Sequence, residues 1–147
     1  MSQANTATAY LRTRVMTASP EQLRLLLLEG AVRFAQQARE GLEAKDYEKA
    51  HSGFSQCRAI VLELLGSVRP GPDPELGERV KSLYSFMYNE LIEASFNKDA
   101  ARLGKVIDLL EYEVETWKML MDKLAVERGG RPAGGDEGER APLSVEA

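Results

Sequence analysis

The sequence is poor in the residues that most often carry chemistry. Its 147 residues include one cysteine and one histidine, so we expect neither an internal disulfide framework nor a histidine-rich metal site. Apolar runs such as Leu25–Leu28 are far shorter than the roughly 20 residues of a membrane span, and we expect no membrane insertion. The net charge of −4 argues against a partner held through phosphates, so we expect no nucleic acid.

The few reactive side chains lack the companions that catalysis would need. Glu48 and His51 have the Glu-x-x-His spacing of half a di-iron site, but the second half would require another histidine. Cys57 lies among apolar residues without a histidine partner, and we interpret it as a small buried side chain rather than a nucleophile. We therefore predict no catalytic residue, no metal, no cofactor and no enzyme activity.

What is present is a set of four segments with apolar residues at three- and four-residue steps, each preceded by a helix start signal. Ser19 and Gln22 form a capping box around Pro20, and the helix that begins there should run to about Leu42. The caps predicted for the other three helices are Asp46, Asp73 and Asp99. Short connections then predict an all-α fold, an antiparallel up-down-up-down four-helix bundle.

Composition divides the chain into three parts. Residues 1–18 have few large apolar side chains and are predicted to be an N-terminal arm, partly helical or flexible. The four-helix bundle is predicted to occupy residues 19–126. Residues 127–147 are rich in glycine, proline and charge, which is typical of a disordered tail because so little apolar surface can be buried.

The helices carry more apolar surface than one bundle seam can cover. On a helical wheel of the first helix, Leu25, Leu28 and Val32 fall nearly opposite the side predicted to face the core. The bulky residues assigned to that core side are Leu23, Leu27 and Phe34. The predicted core faces of the second and third helices begin at Tyr47 and Leu76. Contiguous apolar surface on a soluble protein marks an interaction site.

A second apolar row lies on the third helix at steps of four residues, and the fourth helix adds Leu109 beside its core face. We predict that these surplus positions and the arm bind a partner's amphipathic segment. The predicted partner-binding residues are Tyr10, Leu11, Val15, Leu25, Leu28, Val32, Tyr84, Tyr88, Ile92, Phe96 and Leu109. Leu28→Asp or Ile92→Asp should then weaken partner binding and leave the helical content nearly unchanged.

Several motifs occur in a characteristic order. The aromatic Tyr10 precedes Val15–Leu23, which has the sequence VMTASPEQL, and Leu27–Ala31 follows as LLEGA. Later matching segments are Arg58–Leu64, Leu83–Met87, Leu91–Ala94 and Trp117. Together they resemble the flagellar secretion chaperones of the FliS type, whose pattern is V-x-T-A-S-P-x-x-L and then L-x-x-x-L-Y-D-G-A. Leu28-Glu29 replaces the usual Tyr-Asp, and the proline-rich linker and glycine-rich tail lie outside the shared pattern.

The resemblance implies an antiparallel helical bundle in the bacterial cytosol that binds the disordered C-terminal segment of flagellin in hydrophobic grooves between helices. It implies that the protein prevents premature polymerisation and delivers flagellin to the flagellar type III export apparatus, with an export-gate component as a further partner. An enzyme or metal protein is a rival that the single histidine already counts against, and two further alternatives stay open. One is a generic helical-bundle adaptor for another amphipathic helix, and the other is weak self-association into a homodimer through the same surface.

Overall fold

The computed structural model describes residues 9, 12–13 and 16–129, and within these ranges the chain forms four long helices and no strand. They are α1 (Pro20–Glu43), α2 (Tyr47–Gly66), α3 (Pro74–Asn97) and α4 (Ala100–Glu127). The chain divides into two compact units. Unit 1 comprises Met1–Leu26 and Glu115–Ala147, and unit 2 is Leu27–Val114, which contains part of every helix. Of the proposed arm, Ala9, Arg12, Thr13, Met16 and Thr17 are helical.

Side-chain caps define the starts of the helices, as the sequence predicted. The Gln22 amide donates to Ser19 Oγ at 3.1 Å, and the Ser19 amide donates to Gln22 Oε1 at 2.9 Å, which completes a reciprocal capping box. Each of the three predicted aspartates accepts a backbone N–H from the first turn of the following helix: Asp46, Asp73 and Asp99. At Asp99, the hydrogen bond from the Arg102 amide holds the pKa of the carboxyl below its ordinary value of 3.8.

In unit 2, α1 and α2 approach each other through small residues. A Cβ built on Gly53 would lie 2.6 Å from the backbone N of Ala38 and 2.6 Å from the backbone O of Phe34. A Cβ on Gly41 would lie 2.5 Å from the backbone N of Ala50. Along this seam the residue numbers rise in α1 while they fall in α2, so the two helices are antiparallel.

The other neighbouring helices of unit 2 are connected by side chains. Between α3 and α4, Arg102 Nη1 lies 3.2 Å from Glu90 Oε2. Between α1 and α4, Gln36 Nε2 donates to Glu111 Oε2 at 3.3 Å. The ammonium of Lys98, just after α3, lies 5.1 Å from the ring centroid of Tyr47 at the start of α2. Each helix therefore contacts two others, which confirms the four-helix bundle.

The core side of α1 differs from the prediction. Leu28 is 0% exposed and shares the core with Ala31, Ala35 and Ala38, whereas the three bulky residues assigned to the core side are only half-buried. The expectation that Leu28 faces away from the core is wrong. The reason is that α1 meets α2 through alanine and glycine, so the centre of its buried face lies between the two groups of bulky residues rather than under one of them.

Two residues assigned to the core by periodicity are exposed instead. Tyr47 and Leu76 lie in the first turns of α2 and α3, and both are largely open to solvent. Helical periodicity marks which side of a helix a residue occupies, but a first turn has fewer neighbours to cover that side. The core assignments of both residues were therefore wrong.

Cys57 is buried in the core of unit 2, in agreement with its interpretation as a small apolar side chain. Burial raises the pKa of its thiol from 9.0 to about 12 because the thiolate would lose its hydration. We expect a thiol reagent at pH 8 to leave the folded protein unmodified and to label Cys57 rapidly after unfolding in urea. Fast labelling of the native protein, followed by mass spectrometry, would contradict this burial.

Candidate partner-binding surface

The most exposed large apolar side chain of the described chain lies on α3. Four residues at steps of four along this helix pass from the core to the solvent: Tyr84 is 1% exposed, Tyr88 is half-buried, Ile92 is 40% exposed and Phe96 is 82% exposed. Four residues of an α-helix turn through about 400°, so each step rotates the row by about 40°. The row therefore leaves the core as it approaches the C-terminal end of α3.

Because of this rotation, the assignment of one predicted site residue to the binding surface is wrong. Tyr84 belongs to the core, and its hydroxyl donates to Glu113 Oε1 of α4 at 3.4 Å. The sequence row was treated as one face displaced from the core, but its first member lies about 120° around the helix from Phe96. Only Tyr88, Ile92 and Phe96 of this row remain accessible to a partner, and we call them the α3 row.

The C-terminal end of the α3 row lies near the start of α2. Lys98, in the left-handed conformation with φ of 51°, follows α3 directly, and its ammonium stacks over the ring of Tyr47. Tyr47 therefore belongs to the same end of unit 2 as Phe96, and its ring is also exposed. This end of unit 2 therefore combines exposed aromatic side chains with the ammonium of Lys98.

A second exposed apolar group in unit 2 lies on another side of α3. Phe86 is more than half exposed, and it lies about 120° around the helix from Ile92. On α4, Leu109 is half-buried, and Tyr112 three residues later is largely exposed. The surplus apolar surface of unit 2 is thus spread over two sides of α3 and part of α4.

Unit 1 carries its own exposed apolar side chains. Met16 is 77% exposed and Met119 is 67% exposed, and Val126 is also open to solvent. The predicted site residue Leu25 lies in this unit and is half-buried. The guanidinium carbon of Arg24 lies 5.5 Å from the ring centroid of Trp117.

The predicted site residues therefore fall into three groups. Those open or partly open to solvent in the described ranges are Leu25, Val32, Tyr88, Ile92, Phe96 and Leu109. Leu28 and Tyr84 belong to the core instead. Tyr10, Leu11 and Val15 lie outside the described residues. Their binding roles stay predictions, since no partner chain is present.

Three exposed aromatic residues were missed in the predicted surface: Tyr47, Phe86 and Tyr112. A signal existed for Phe86, because it lies about 100° from Met87 on the wheel while the core side of α3 runs through Met87, Leu91 and Ala94. Tyr47 gave a misleading signal, since its position fits the core periodicity of α2. Tyr112 gave none, because one exposed tyrosine among charged residues is common.

The chemistry of the described residues points to protein binding. No cluster of three or more histidine, cysteine, aspartate or glutamate side chains suited to a metal occurs in the ranges that the structure describes. None of the helices there has the length and apolar content that crossing a membrane requires. Exposed aromatic and aliphatic side chains on rigid helices are, by contrast, typical anchors for a helical partner segment.

Comparison with known proteins gives a consistent result over nearly the whole chain. The family model for "Flagellar protein FliS" matches residues 2–124. The chain is 27% identical over 130 residues to a flagellar secretion chaperone FliS from Bacillus subtilis, covering 88% of this chain and 96% of that protein. It is 30% identical over 121 residues to the protein of that name from Salmonella typhimurium, covering 80% of this chain and 87% of the relative.

A third relative with the same name, from Campylobacter jejuni, is 24% identical over 110 residues, which is 75% of this chain and 86% of that protein. The family-model match includes the Ser19 capping box and ends at residue 124, within α4. The helical bundle, its caps and the family match agree with one another, and the chain belongs to the FliS family of flagellar secretion chaperones.

Proposed function

We propose that this protein binds the disordered C-terminal segment of flagellin, keeps it from polymerising early and delivers it to the flagellar export apparatus. The observation that carries the proposal is the exposed α3 row, which ends at Phe96 shortly before Lys98, whose ammonium lies over the Tyr47 ring. The relatives named flagellar secretion chaperones supply the class of client. An export-gate component is the second partner under this proposal, and the bacterial cytosol is the place where both would be met.

Apolar anchors supply the binding free energy that such a client needs. A disordered segment that becomes helical on binding loses chain entropy, a cost of typically several kcal/mol. Burying a Phe or Ile side chain contributes about 1.5–3 kcal/mol. A few anchors such as Ile92 and Phe96 are therefore sufficient to offset the ordering of the client.

We expect Phe96→Glu and Ile92→Glu to weaken binding of a flagellin C-terminal peptide at least about tenfold each, because each removes an anchor worth about 1.5 kcal/mol or more. Glutamate keeps a high helix propensity, so thermal unfolding should stay close to that of the unmodified protein. Calorimetric titration measures the affinity, and circular dichroism measures the gain of helix when the peptide binds.

Gln56→Glu is the matched control. Gln56 is exposed on α2, and the substitution adds the same charge without removing an apolar side chain. Its effect on affinity should be less than about twofold, consistent with a surface change away from an anchor. If the unmodified protein fails to bind the peptide at all, the proposed client is wrong. If it binds and both α3 substitutions leave the affinity unchanged, the binding surface lies elsewhere.

A further inference from the structure

We infer that unit 1 opens as a cooperative subdomain of its own while unit 2 stays folded. This inference concerns the local stability of the chain and does not depend on which client the protein binds. It rests on how differently the two units bury their apolar side chains and on a contact that joins the two segments of unit 1.

The burial of the described residues differs sharply between the units. All of the large side chains that are fully buried lie in unit 2, from Leu28 to Leu110. In the described part of unit 1, Ala125 is the one buried residue. The other larger apolar side chains described in unit 1 are either exposed, as are Met16, Met119, Leu120 and Val126, or half-buried, as are Leu23, Leu25, Leu26, Trp117, Met121 and Leu124.

The helical content of unit 1 is also short. In its described part it holds the helical arm residues 9, 12–13 and 16–17, about two turns of α1, Pro20–Leu26, and roughly three and a half turns of α4, from Glu115 onward. These segments are the outer turns of α1 and α4, and most helix stability in proteins comes from tertiary burial. Because unit 1 buries few side chains fully, we expect its helix ends to have a lower free energy of opening than α2 and α3. Such a difference is typical of independently opening units.

The two segments of unit 1 are joined by a contact between Arg24 and Trp117, whose ring lies 5.5 Å from the guanidinium carbon. A cation–π contact of this kind contributes about 0.5–1 kcal/mol at an exposed site. Because it connects the start of α1 to the second half of α4, loss of order in one segment removes a stabilising contact from the other. The segments should therefore open together.

Hydrogen exchange of the full chain tests this inference. We expect the amides of residues 24–26 and 118–126 to show at least about tenfold lower protection than those of α2 and of α3, with a weaker dependence on added denaturant. If all four helices exchange with one common free energy of opening, the chain unfolds as a single unit and the inference is wrong.

Trp117→Ala tests the coupling between the two segments. It should speed exchange several-fold in residues 24–26 as well as in residues 118–126, and leave the protection of α2 and α3 unchanged. Lys118→Ala is the control, because Lys118 is an exposed neighbour on the same helix. Faster exchange confined to α4, or spread equally over all helices, would overturn the proposed cooperative unit. The readout is exchange alone, so the result is separate from any measurement of flagellin binding.

Discussion

Gly53→Ala is expected to lower the free energy of unfolding by about 2 kcal/mol and the Tm by roughly 5–10 °C. The new methyl group would lie 2.6 Å from the backbone N of Ala38 and from the backbone O of Phe34. Backbone atoms of a packed helix cannot rotate away as a side-chain end can, so α1 and α2 must separate. Separation along an antiparallel seam weakens many contacts at once.

Gly104→Ala is the matched control for this prediction. Gly104 lies within α4, and a Cβ built there meets no atom within 4 Å. Alanine has a higher helix propensity than glycine, so this substitution should stabilise the protein by about 0.5–1 kcal/mol. Thermal and urea unfolding of the two variants measure the contrast. Equal and favourable effects of both substitutions would show that the close approach of α1 and α2 does not exist in solution.

Leu28→Asp is expected to cost at least about 4 kcal/mol, because it combines the loss of a buried Leu with an unpaired carboxylate in the core. Leu28 is completely buried, and its α1 neighbours on the same side are alanines that offer no hydrogen bond from their side chains. Since a domain has about 5–15 kcal/mol of total stability, much of the variant should be unfolded at neutral pH. Circular dichroism during thermal unfolding measures this loss.

The pH dependence of the Leu28→Asp variant has a definite sign. Burial raises the pKa of a carboxyl in the folded state above its unfolded value. Stability is therefore partly recovered as pH falls through that raised pKa, because the neutral acid is less costly to bury. Leu28→Met keeps the volume and should cost less than about 1.5 kcal/mol. A stable Leu28→Asp variant with weak partner binding would instead restore the surface role that the helical wheel suggested.

Local signals predicted the helices because helix starts are decided within a few residues. A Ser or Asp side chain can satisfy a free backbone N–H only two or three positions later, so the capping residues can be recognised in the sequence. The starts at Pro20, Tyr47 and Pro74 follow their predicted caps directly. The short connections between α1 and α2 and between α3 and α4 end at the predicted caps Asp46 and Asp99. The left-handed conformations of Lys45 and Lys98 within these connections gave no sequence signal.

The candidate surface was predicted less well than the fold. Tyr88, Ile92 and Phe96 were found because steps of four keep residues near one another on a helix. Leu28 was misplaced because the helical wheel shows relative angles but does not show which angle faces the neighbours. Tyr84 was misplaced because its row was treated as one face, although the row rotates by about 40° at each step of four residues. The exposed Phe86 was overlooked although its angle of about 100° from Met87 on the helical wheel gave a signal in the sequence.

The sequence by itself determined the number of helices, their caps and the family motifs, because these depend on spacing over a few residues. The tertiary structure decided where the core lies on α1. That choice depended on Gly41 and Gly53, whose lack of a side chain lets α1 and α2 approach until their backbones touch. Large apolar residues dominate a hydrophobic pattern, whereas the smallest residues set the distance between α1 and α2, and this is why the core direction of α1 could not be read from the pattern alone.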